Sequence, residues 1–229
     1  VLGASLLISG CGSSTNNASS SGSKEVLKVA ANPVPHAEIL EQVKPILAKE
    51  GVDLQIVEFT DYIQPNMALS SHEVDANFFA NVPYQNNYNK DHGTNFVSFA
   101  PVHIEPLAIY SQKIKDLKDL PNGAKVAIPS DPTNSARALL LLQSAGLVTL
   151  KDPTGLTNTP FDATSNPKNI QITELEAAQI PRSIQDLDAA VINANYALPA
   201  GLNPTKDGLF VEKADSPYAN LLSVNPGDE

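Results

Sequence analysis

The chain has 229 residues, of which 42% are hydrophobic and 17% charged, so it holds enough apolar material for one or two folded domains. Its 25 acidic and 15 basic side chains give a formal net charge of −10, and the absence of a basic cluster argues against nucleic acid as a partner. A single cysteine excludes disulfides within the chain, and four scattered histidines predict no metal centre.

The first residues predict a secretory signal and a lipid anchor. Residues 1–8 form an apolar run, too short for the roughly 20 residues of a membrane-spanning helix but adequate for the hydrophobic part of a signal peptide. The sequence ISGC at residues 8–11 resembles the lipobox of bacterial lipoproteins, in which the cysteine is acylated. We therefore interpret residues 1–10 as a partial signal peptide and Cys11 as the site of lipidation.

The segment after the cysteine predicts a tether. Residues 12–23 contain only Gly, Ser, Thr, Asn and Ala, a composition that cannot bury a core. We interpret residues 11–23 as a lipidated cysteine with a flexible tether, because acyl chains hold a soluble domain at a membrane surface without a spanning segment. The alternative is that Cys11 is one more small buried residue, and the sequence on both sides of it disfavours that interpretation.

From Lys24 onward, short apolar runs alternate with amphipathic or turn-rich stretches. Helical spacing predicts one helix over residues 37–49 and a clearer one over residues 134–145, which Asp131 and Pro132 open. Eight apolar runs are typical of β-strands in length and in their β-branched or aromatic content. These runs are residues 26–31, 54–59, 74–79, 96–99, 107–110, 126–128, 170–175 and 189–192.

Strands that alternate with helices predict an α/β fold with largely parallel sheets. More than 100 residues lie on each side of residues 106–111, so we expect two α/β lobes instead of one large sheet. The expected boundaries place lobe I at residues 24–106 and lobe II at residues 107–218.

The sequence offers no positive evidence for catalysis. It has no Gly-x-Ser-x-Gly elbow, no His-Glu-x-x-His motif and no Gly-rich phosphate loop, and its only thiol is assigned to the lipid. Its histidines are separated by 36, 20 and 11 residues, which is not the spacing of metal ligands. We therefore expect no enzyme, no cofactor and no metal. The alternative is an enzyme, which would require a pair of acidic residues that face each other across a cleft.

Three stretches favour a small-molecule binding site. At residues 128–137 a strand leads into a helix whose start offers free backbone N–H groups, and Arg137 adds a planar donor pair that matches a carboxylate. Aromatic and amide side chains crowd the end of a strand at residues 77–84, and another strand ends in amides at residues 191–196. Ligands bind at strand ends in open α/β sheets. The competing interpretations are a solvated Arg137 and aromatic residues that belong to the core.

These stretches resemble the methionine-binding, NlpA-type lipoprotein family, the substrate-binding components of bacterial methionine ABC importers. The resemblance runs from about Val26 to Val224. Its motifs are DYIQPN at 61–66, VDANFFANVPY at 74–84, IPSDPTNSARALLLLQ at 128–143, NPKNIQITELEAAQIPRS at 166–183, AAVINANYALPAGLNP at 189–204 and DSPYANL at 215–221. The family implies a two-lobed, type II periplasmic-binding fold that closes over one small amino acid in a cleft between the lobes.

The resemblance also implies roles for individual residues. Arg137 would bind the α-carboxylate of the ligand, and Asn193 and Asn220 would hydrogen-bond its backbone polar atoms. Aromatic rings are a suitable surface for a thioether side chain. The residues implied for that surface are Tyr62, Phe79 and Tyr84.

The sequence departs from the family pattern in two respects. Asn81 stands where the family usually has a histidine, which changes the polarity of the pocket and leaves the ligand open; His103, on the strand leading toward the crossover, is a candidate to compensate. The chain also stops at Glu229, where relatives continue with further helices. Residues 219–229 are therefore expected to be a truncated return toward lobe I.

The resulting hypothesis is an extracytoplasmic solute-binding lipoprotein, anchored to the cell membrane by its lipid. It captures L-methionine and delivers it to an ABC permease and ATPase complex. Lobe closure is the expected mechanism, because a ligand that contacts both halves binds the closed state better. Two alternatives stay open: the same fold binding another amino acid or a methionine-containing dipeptide, and a surface lipoprotein for adhesion or display without a transport role.

Overall fold

The computed structural model describes residues 24–229. The predicted signal peptide, Cys11 and the tether lie outside these described residues. Within residues 24–229, no helix is both long enough and apolar enough to cross a bilayer.

Twelve strands and seven α-helices alternate along the described residues. The strands are β1 (Glu25–Ala31), β2 (Val52–Glu58), β3 (Ala76–Asn81), β4 (Val97–Ile104), β5 (Leu107–Tyr110), β6 (Lys125–Pro129), β7 (Thr149–Leu150), β8 (Ala163–Ser165), β9 (Gln171–Leu175), β10 (Ala189–Asn193), β11 (Phe210–Val211) and β12 (Ala219–Val224). The α-helices are α1 (Glu38–Lys49), α2 (Gln64–Ser70), α3 (Val82–His92), α4 (Pro132–Ser144), α5 (Ile180–Ser183), α6 (Ala194–Ala197) and α7 (Pro204–Asp207).

The eight predicted strands and both predicted helices are confirmed. Most of their ends agree with the prediction to within two residues, but β4 continues to Ile104, five residues beyond its predicted end. The residues of that extension are mostly exposed, so they lack the apolar signature by which a strand is recognised in a sequence. The four strands that were not predicted include β7 and β11, which have two residues each and are too short to show a period.

The first sheet contains five strands in the order β2-β1-β3-β12-β4. Strand β1 runs parallel to β2 and β3, whereas β12 is antiparallel to both of its neighbours. Successive side chains of a strand point to opposite faces, and both faces of β1 are covered. Val29 packs with Leu40 of α1 on one face, while Ala30 packs with Leu69 of α2 on the other.

The second sheet contains five strands in the order β11-β5-β10-β6-β9. Strands β10, β6 and β9 are parallel, and β5 is antiparallel to β10 and β11. Helix α4 covers one face, where Leu139 and Leu142 are fully buried; α5 covers the other face with Ile180. The side chain of Asp131 caps α4 by accepting a hydrogen bond from the backbone N–H of Asn134 at 2.9 Å.

The chain passes between the two sheets twice. It leaves the first sheet at Ile104 and enters the second at Leu107, and it returns between Val211 and Ala219. Each sheet has helices on both faces and its own buried clusters. The architecture is therefore α/β with two sheets, in agreement with the predicted fold class. The expectation of largely parallel sheets is wrong, because each of these sheets has two parallel and two antiparallel pairings.

Candidate ligand-binding cleft

A cavity lies between the two sheets, next to the carboxyl ends of β1, β3, β6 and β10. Its volume is about 20 Å³. The two sides are therefore nearly in contact, because that space suits about one or two waters. The residues that line it are His36, Tyr62, Phe79, Ala80, Asn81, Tyr84, Glu105, Asn134, Arg137, Asn193, Ala194, Asn195 and Asn220.

Seven of the eight predicted ligand-binding residues line this cavity, and His103 does not. The imidazole of His103 instead contacts Glu105, with its Nε2 2.8 Å from Oε1, so His103 reaches the cavity only through that carboxylate. The binding roles of all eight residues stay predictions. The seven that line the cavity are Tyr62, Phe79, Asn81, Tyr84, Arg137, Asn193 and Asn220.

Aromatic rings form one wall of the cavity. The ring of Tyr62 stacks on Phe79 at a centroid distance of 5.9 Å, and Tyr84 meets both rings edge-on. Tyr196, at the end of the stretch 191–196, packs against this wall with its ring 5.0 Å from that of Tyr62, although it does not itself line the cavity. Burial raises the pKa of the Tyr62, Tyr84 and Tyr196 phenols, so all three stay neutral at physiological pH. The wall is an uncharged, polarisable surface.

One hydrogen bond across the cavity joins the two sides. The phenol O–H of Tyr62, which precedes α2, donates to Oδ1 of Asn195 at 2.6 Å, and both groups are buried. Nδ2 of Asn195 also lies 3.5 Å from Oδ1 of Asn32, on the side of the first sheet. By contrast, the O–H of Tyr84 donates to the backbone carbonyl of Tyr62 at 2.7 Å, within one side.

Asn81 acts as a helix cap. Its Oδ1 accepts a hydrogen bond from the backbone N–H of Tyr84 at 3.0 Å, which begins α3 and places the Tyr84 ring at the wall. An amide at this position therefore fixes a neighbouring ring as well as setting the polarity of the cavity.

Arg137 is buried, with 4% of its surface exposed, so the interpretation of Arg137 as a solvated helix residue is wrong. Its Nε donates to Oε1 of Glu212 at 2.9 Å, and its Nη2 donates to Oε2 of Glu212 and, at 2.8 Å, to the backbone carbonyl of Glu105. The guanidinium also lies 4.2 Å from the ring centroid of Tyr218. Among the described residues, Nη1 of Arg137 has no hydrogen-bond acceptor, so this edge of the guanidinium is free to bind another group; Arg137 lines the cavity.

An ionised carboxylate lies in the same cavity. Burial raises the pKa of Glu105, but the hydrogen bond from His103 and the adjacent His36 ring outweigh burial and hold this pKa at about 2. Nδ2 of Asn220 also donates to Oε1 of Glu105, at 2.6 Å. The cavity therefore presents a negative group at Glu105 and a positive group at Arg137.

Asn193 supplies an unpaired polar atom. Its Nδ2 donates to Oδ1 of Asn134 at 2.9 Å, which fixes the orientation of the amide. Within residues 24–229, Oδ1 of Asn193 is buried and has no hydrogen-bond donor. Buried polar atoms without partners are rare because they lose their hydration, so this atom marks a place where a ligand donor fits.

Four polar residues of the cavity were given no binding role from the sequence. Asn134 and Asn195 lie in the stretches 128–137 and 191–196, which the sequence did favour as a binding site, and His36 follows the carboxyl end of β1, where the same strand-end rule applies. Glu105 has no such local signal, because it belongs to the passage between the two sheets.

Comparisons with known proteins place the chain in a family. Residues 27–229 match the family described as NlpA lipoprotein. The D-methionine-binding lipoprotein MetQ of Salmonella typhimurium is 50% identical over 188 residues, which are 81% of this chain and 69% of that protein. The chain belongs to the NlpA lipoprotein family. The family predicted from the sequence motifs is thereby confirmed.

Other members of the NlpA lipoprotein family extend this likeness. The membrane lipoprotein TpN32 of Treponema pallidum is 42% identical over 205 residues, which are 90% of this chain and 76% of that protein. A nutrient-binding protein of Burkholderia cenocepacia, solved with methionine bound, superposes with a TM-score of 0.85 at 48% identity, covering 88% of this chain and 86% of that one.

A periplasmic substrate-binding protein of an ABC transporter from Coxiella burnetii gives the same TM-score of 0.85, at 44% identity, and covers 88% of this chain and 86% of that chain. The predicted periplasmic-binding fold is confirmed by these two structures. The predicted location, lipid-anchored on the extracytoplasmic side of a membrane, agrees with lipoprotein relatives such as TpN32.

Proposed function

We propose that this NlpA lipoprotein binds methionine in the cleft between its two sheets and delivers it to an ABC permease and ATPase complex. We take the two sheets as the cores of the two lobes. The observation that carries the proposal is one cavity that combines the opposite charges of Glu105 and Arg137 with an aromatic wall. The relatives that are named for methionine, or solved with it, support the choice of ligand.

The polar end of the cavity fits an amino-acid zwitterion. The α-carboxylate of the ligand accepts hydrogen bonds from the free edge of Arg137, and its α-ammonium donates to Glu105 and to the unpaired Oδ1 of Asn193. Each of these contacts joins a charged group to a buried partner. A ligand that lacks one charge leaves Nη1 of Arg137 or Oδ1 of Asn193 desolvated and without a partner, and this selects for free amino acids.

The apolar end of the cavity fits a thioether. Tyr62, Phe79 and Tyr84 present ring faces and edges within one wall, and contacts between sulfur and aromatic rings contribute about 0.3–1.5 kcal/mol each. Three attachment points, at the carboxylate, the ammonium and the side chain, also discriminate between enantiomers. L-methionine is the enantiomer implied by the sequence resemblance, whereas the MetQ relatives are named for D-methionine.

Binding requires the two sides to separate and close again. The cavity in this structure has room for about one or two water molecules, and an amino acid is several times larger. A ligand held by Arg137 on one side and by Glu105 and the aromatic wall on the other stabilises the closed arrangement. An ABC permease that recognises the closed arrangement therefore distinguishes loaded from empty protein.

We also propose that the chain has no enzymatic activity. Its buried ionisable groups are held in ways that suit binding: Arg137 is paired with Glu212, and Glu105 is held ionised by histidine contacts. The cavity lining contains no serine, cysteine or lysine that could act as a nucleophile. That statement covers the residues that the structure describes.

Isothermal titration calorimetry with L-methionine, D-methionine, methionyl dipeptides and alanine tests the proposed ligand. We expect saturable binding of one L-methionine per chain, with weaker binding of the other compounds. The variant N193A removes the acceptor for the ammonium and should weaken binding about ten- to a hundredfold, because a hydrogen bond to a charged group contributes about 1.5–3 kcal/mol. Asn86→Ala, at an exposed position of α3, is the matched control and should bind like the parent.

Three results would decide against this proposal. Tighter binding of a dipeptide than of any free amino acid would favour the dipeptide alternative. Saturable binding of none of these compounds would favour an adhesion or display role. Unchanged L-methionine affinity in N193A would remove the assigned ammonium contact.

A further inference from the structure

Two histidines and a glutamate meet at one edge of the cavity. His36 lies in the turn between β1 and α1, His103 lies on β4, and Glu105 follows β4 directly. Nε2 of His36 is 3.0 Å from Oε1 of Glu105, and Nε2 of His103 is 2.8 Å from the same oxygen. One ligand atom from each residue lies within 4.8 Å of the other two.

His36 is the unusual member of this group. It is 1% exposed, and its Nδ1 has no hydrogen-bond partner among the described residues. Its Nε2 lies 3.0 Å from Oε1 of Glu105, and that carboxylate is its one close polar neighbour in the described part of the chain. This buried nitrogen is therefore held facing the same oxygen that His103 contacts, and an ion between them would be shared by all three groups.

We propose that His36, His103 and Glu105 form a binding site for one divalent transition-metal ion of the zinc class. Two imidazole nitrogens and one carboxylate oxygen are a ligand set that zinc uses, at distances of about 2.0–2.2 Å. Tetrahedral coordination at such distances separates the ligand atoms by about 3.3–3.5 Å. The contacts of 2.8 and 3.0 Å are slightly shorter, so small side-chain rotations admit the ion.

The surroundings of the three side chains suit a metal ion. The carboxylate of Glu105 faces both imidazoles, and a carboxylate ligand supplies negative charge that offsets part of the charge of the cation. Asn220 donates to Oε1 of Glu105 at 2.6 Å and thereby orients the carboxylate. His36 and Glu105 line the cavity, so the fourth coordination position faces it and is open to a water. Because Glu105 is also the proposed partner of the ligand ammonium, the metal ion and the amino acid compete for this carboxylate, and the zinc titration is made without amino acid.

The histidine spacing in the sequence predicts no such site. Ligand spacing in a sequence reveals metal sites whose ligands lie on one short element. Here His103 lies on β4, Glu105 follows it, and His36 lies in a turn more than 60 residues earlier in the chain. Only the pairing of β1, β3, β12 and β4 in the first sheet brings them together.

Calorimetric titration of the full chain with zinc chloride tests this site. The protein is prepared without a histidine tag, treated with a chelator, and carries Cys11→Ser so that its lone thiol binds no zinc. We expect saturable binding of one zinc ion per chain. Cobalt(II) in place of zinc should give the visible absorption of a low-coordinate site with nitrogen and oxygen ligands.

Two variants remove ligand atoms with little change of shape. H103F keeps an aromatic ring beside Phe78 and His36, and E105Q keeps the shape of the carboxylate without its charge. Each should lower the zinc affinity at least about tenfold and abolish the cobalt absorption. The matched control is H92F, whose ring stacks on Tyr88 at the exposed end of α3, and it should bind zinc like the parent.

Circular dichroism and thermal melting establish that each variant is folded before it is titrated. The proposal is overturned if the folded parent shows no saturable zinc binding. It is also overturned if folded H103F and E105Q both bind zinc as tightly as H92F does.

Discussion

The hydrogen bond between Tyr62 and Asn195 gives a direct test of the closing mechanism. The bond crosses the cavity, is buried and measures 2.6 Å, and Oδ1 of Asn195 accepts no other hydrogen bond among the described residues. Tyr62→Phe removes the hydroxyl and keeps the ring contacts with Phe79 and Tyr196. The substitution therefore destabilises the closed arrangement, in which Oδ1 of Asn195 would be buried without a donor. It does not destabilise an open arrangement, in which water hydrates that oxygen.

The magnitude follows from the cost of an unsatisfied buried polar group, which is about 1–3 kcal/mol. A free-energy change of this size lowers the ratio of closed to open protein about 5- to 150-fold. Because the ligand binds the closed arrangement, its apparent affinity should fall by a comparable factor. Calorimetry measures that fall, and small-angle X-ray scattering of the ligand-free protein should show a larger radius of gyration.

Tyr84→Phe is the matched control. It also removes one phenol hydroxyl from the wall, but that hydroxyl bonds to the backbone of Tyr62 on the same side of the cavity. The control should leave the radius of gyration unchanged. If Tyr62→Phe changed neither affinity nor radius of gyration, or if Tyr84→Phe expanded the ligand-free protein equally, the hydrogen bond across the cavity would have no part in closure.

Three further predictions concern stability. Asp188→Asn should destabilise the protein by about 1 kcal/mol at pH 7. The reason is that hydrogen bonds, chiefly the one from the backbone N–H of Lys125, hold the pKa of Asp188 below its usual value. That stabilisation is present above the unfolded pKa of about 3.9 and is lost as pH falls through the folded pKa, so urea melts of parent and variant should converge in acid. Leu142→Ala should lower the free energy of unfolding by about 2–5 kcal/mol in the same melts, since Leu142 is fully buried under the second sheet. A loss under 1 kcal/mol would mean that neighbouring side chains fill the space the leucine leaves. Asn81→Ala should cost about 1 kcal/mol by loss of the α3 cap, and an unchanged melting curve would show that the hydrogen bond to Tyr84 adds nothing.

Much of the fold could be predicted because its signals are local. Helix α4 is an example, since Asp131 caps it, Pro132 occupies its first turn and an apolar run follows within a few residues. Arg137 could be singled out for the same reason, because a charge beside that apolar run is visible in the sequence. The motif resemblance then located the aromatic residues of the cavity.

The parts that could not be predicted depend on contacts between distant residues. Whether Arg137 is solvated or buried is decided by Glu212 and Tyr218, 75 and 81 positions further along the chain. Glu105 obtains its low pKa from His103, two residues away, but also from His36, which only the sheet order brings near. Strand β12 pairs with β3 and β4 across more than 100 residues, and no periodicity within the strand reveals such partners.

The guanidinium of Arg137 fastens both connections between the halves of the molecule. It holds the carbonyl of Glu105, in the passage that leaves the first sheet, and the carboxylate of Glu212, in the passage that returns to it. In the proposed mechanism, a carboxylate that binds this side chain acts on both connections at once. Binding in the cleft is then coupled to the two backbone segments about which the proposed closure turns.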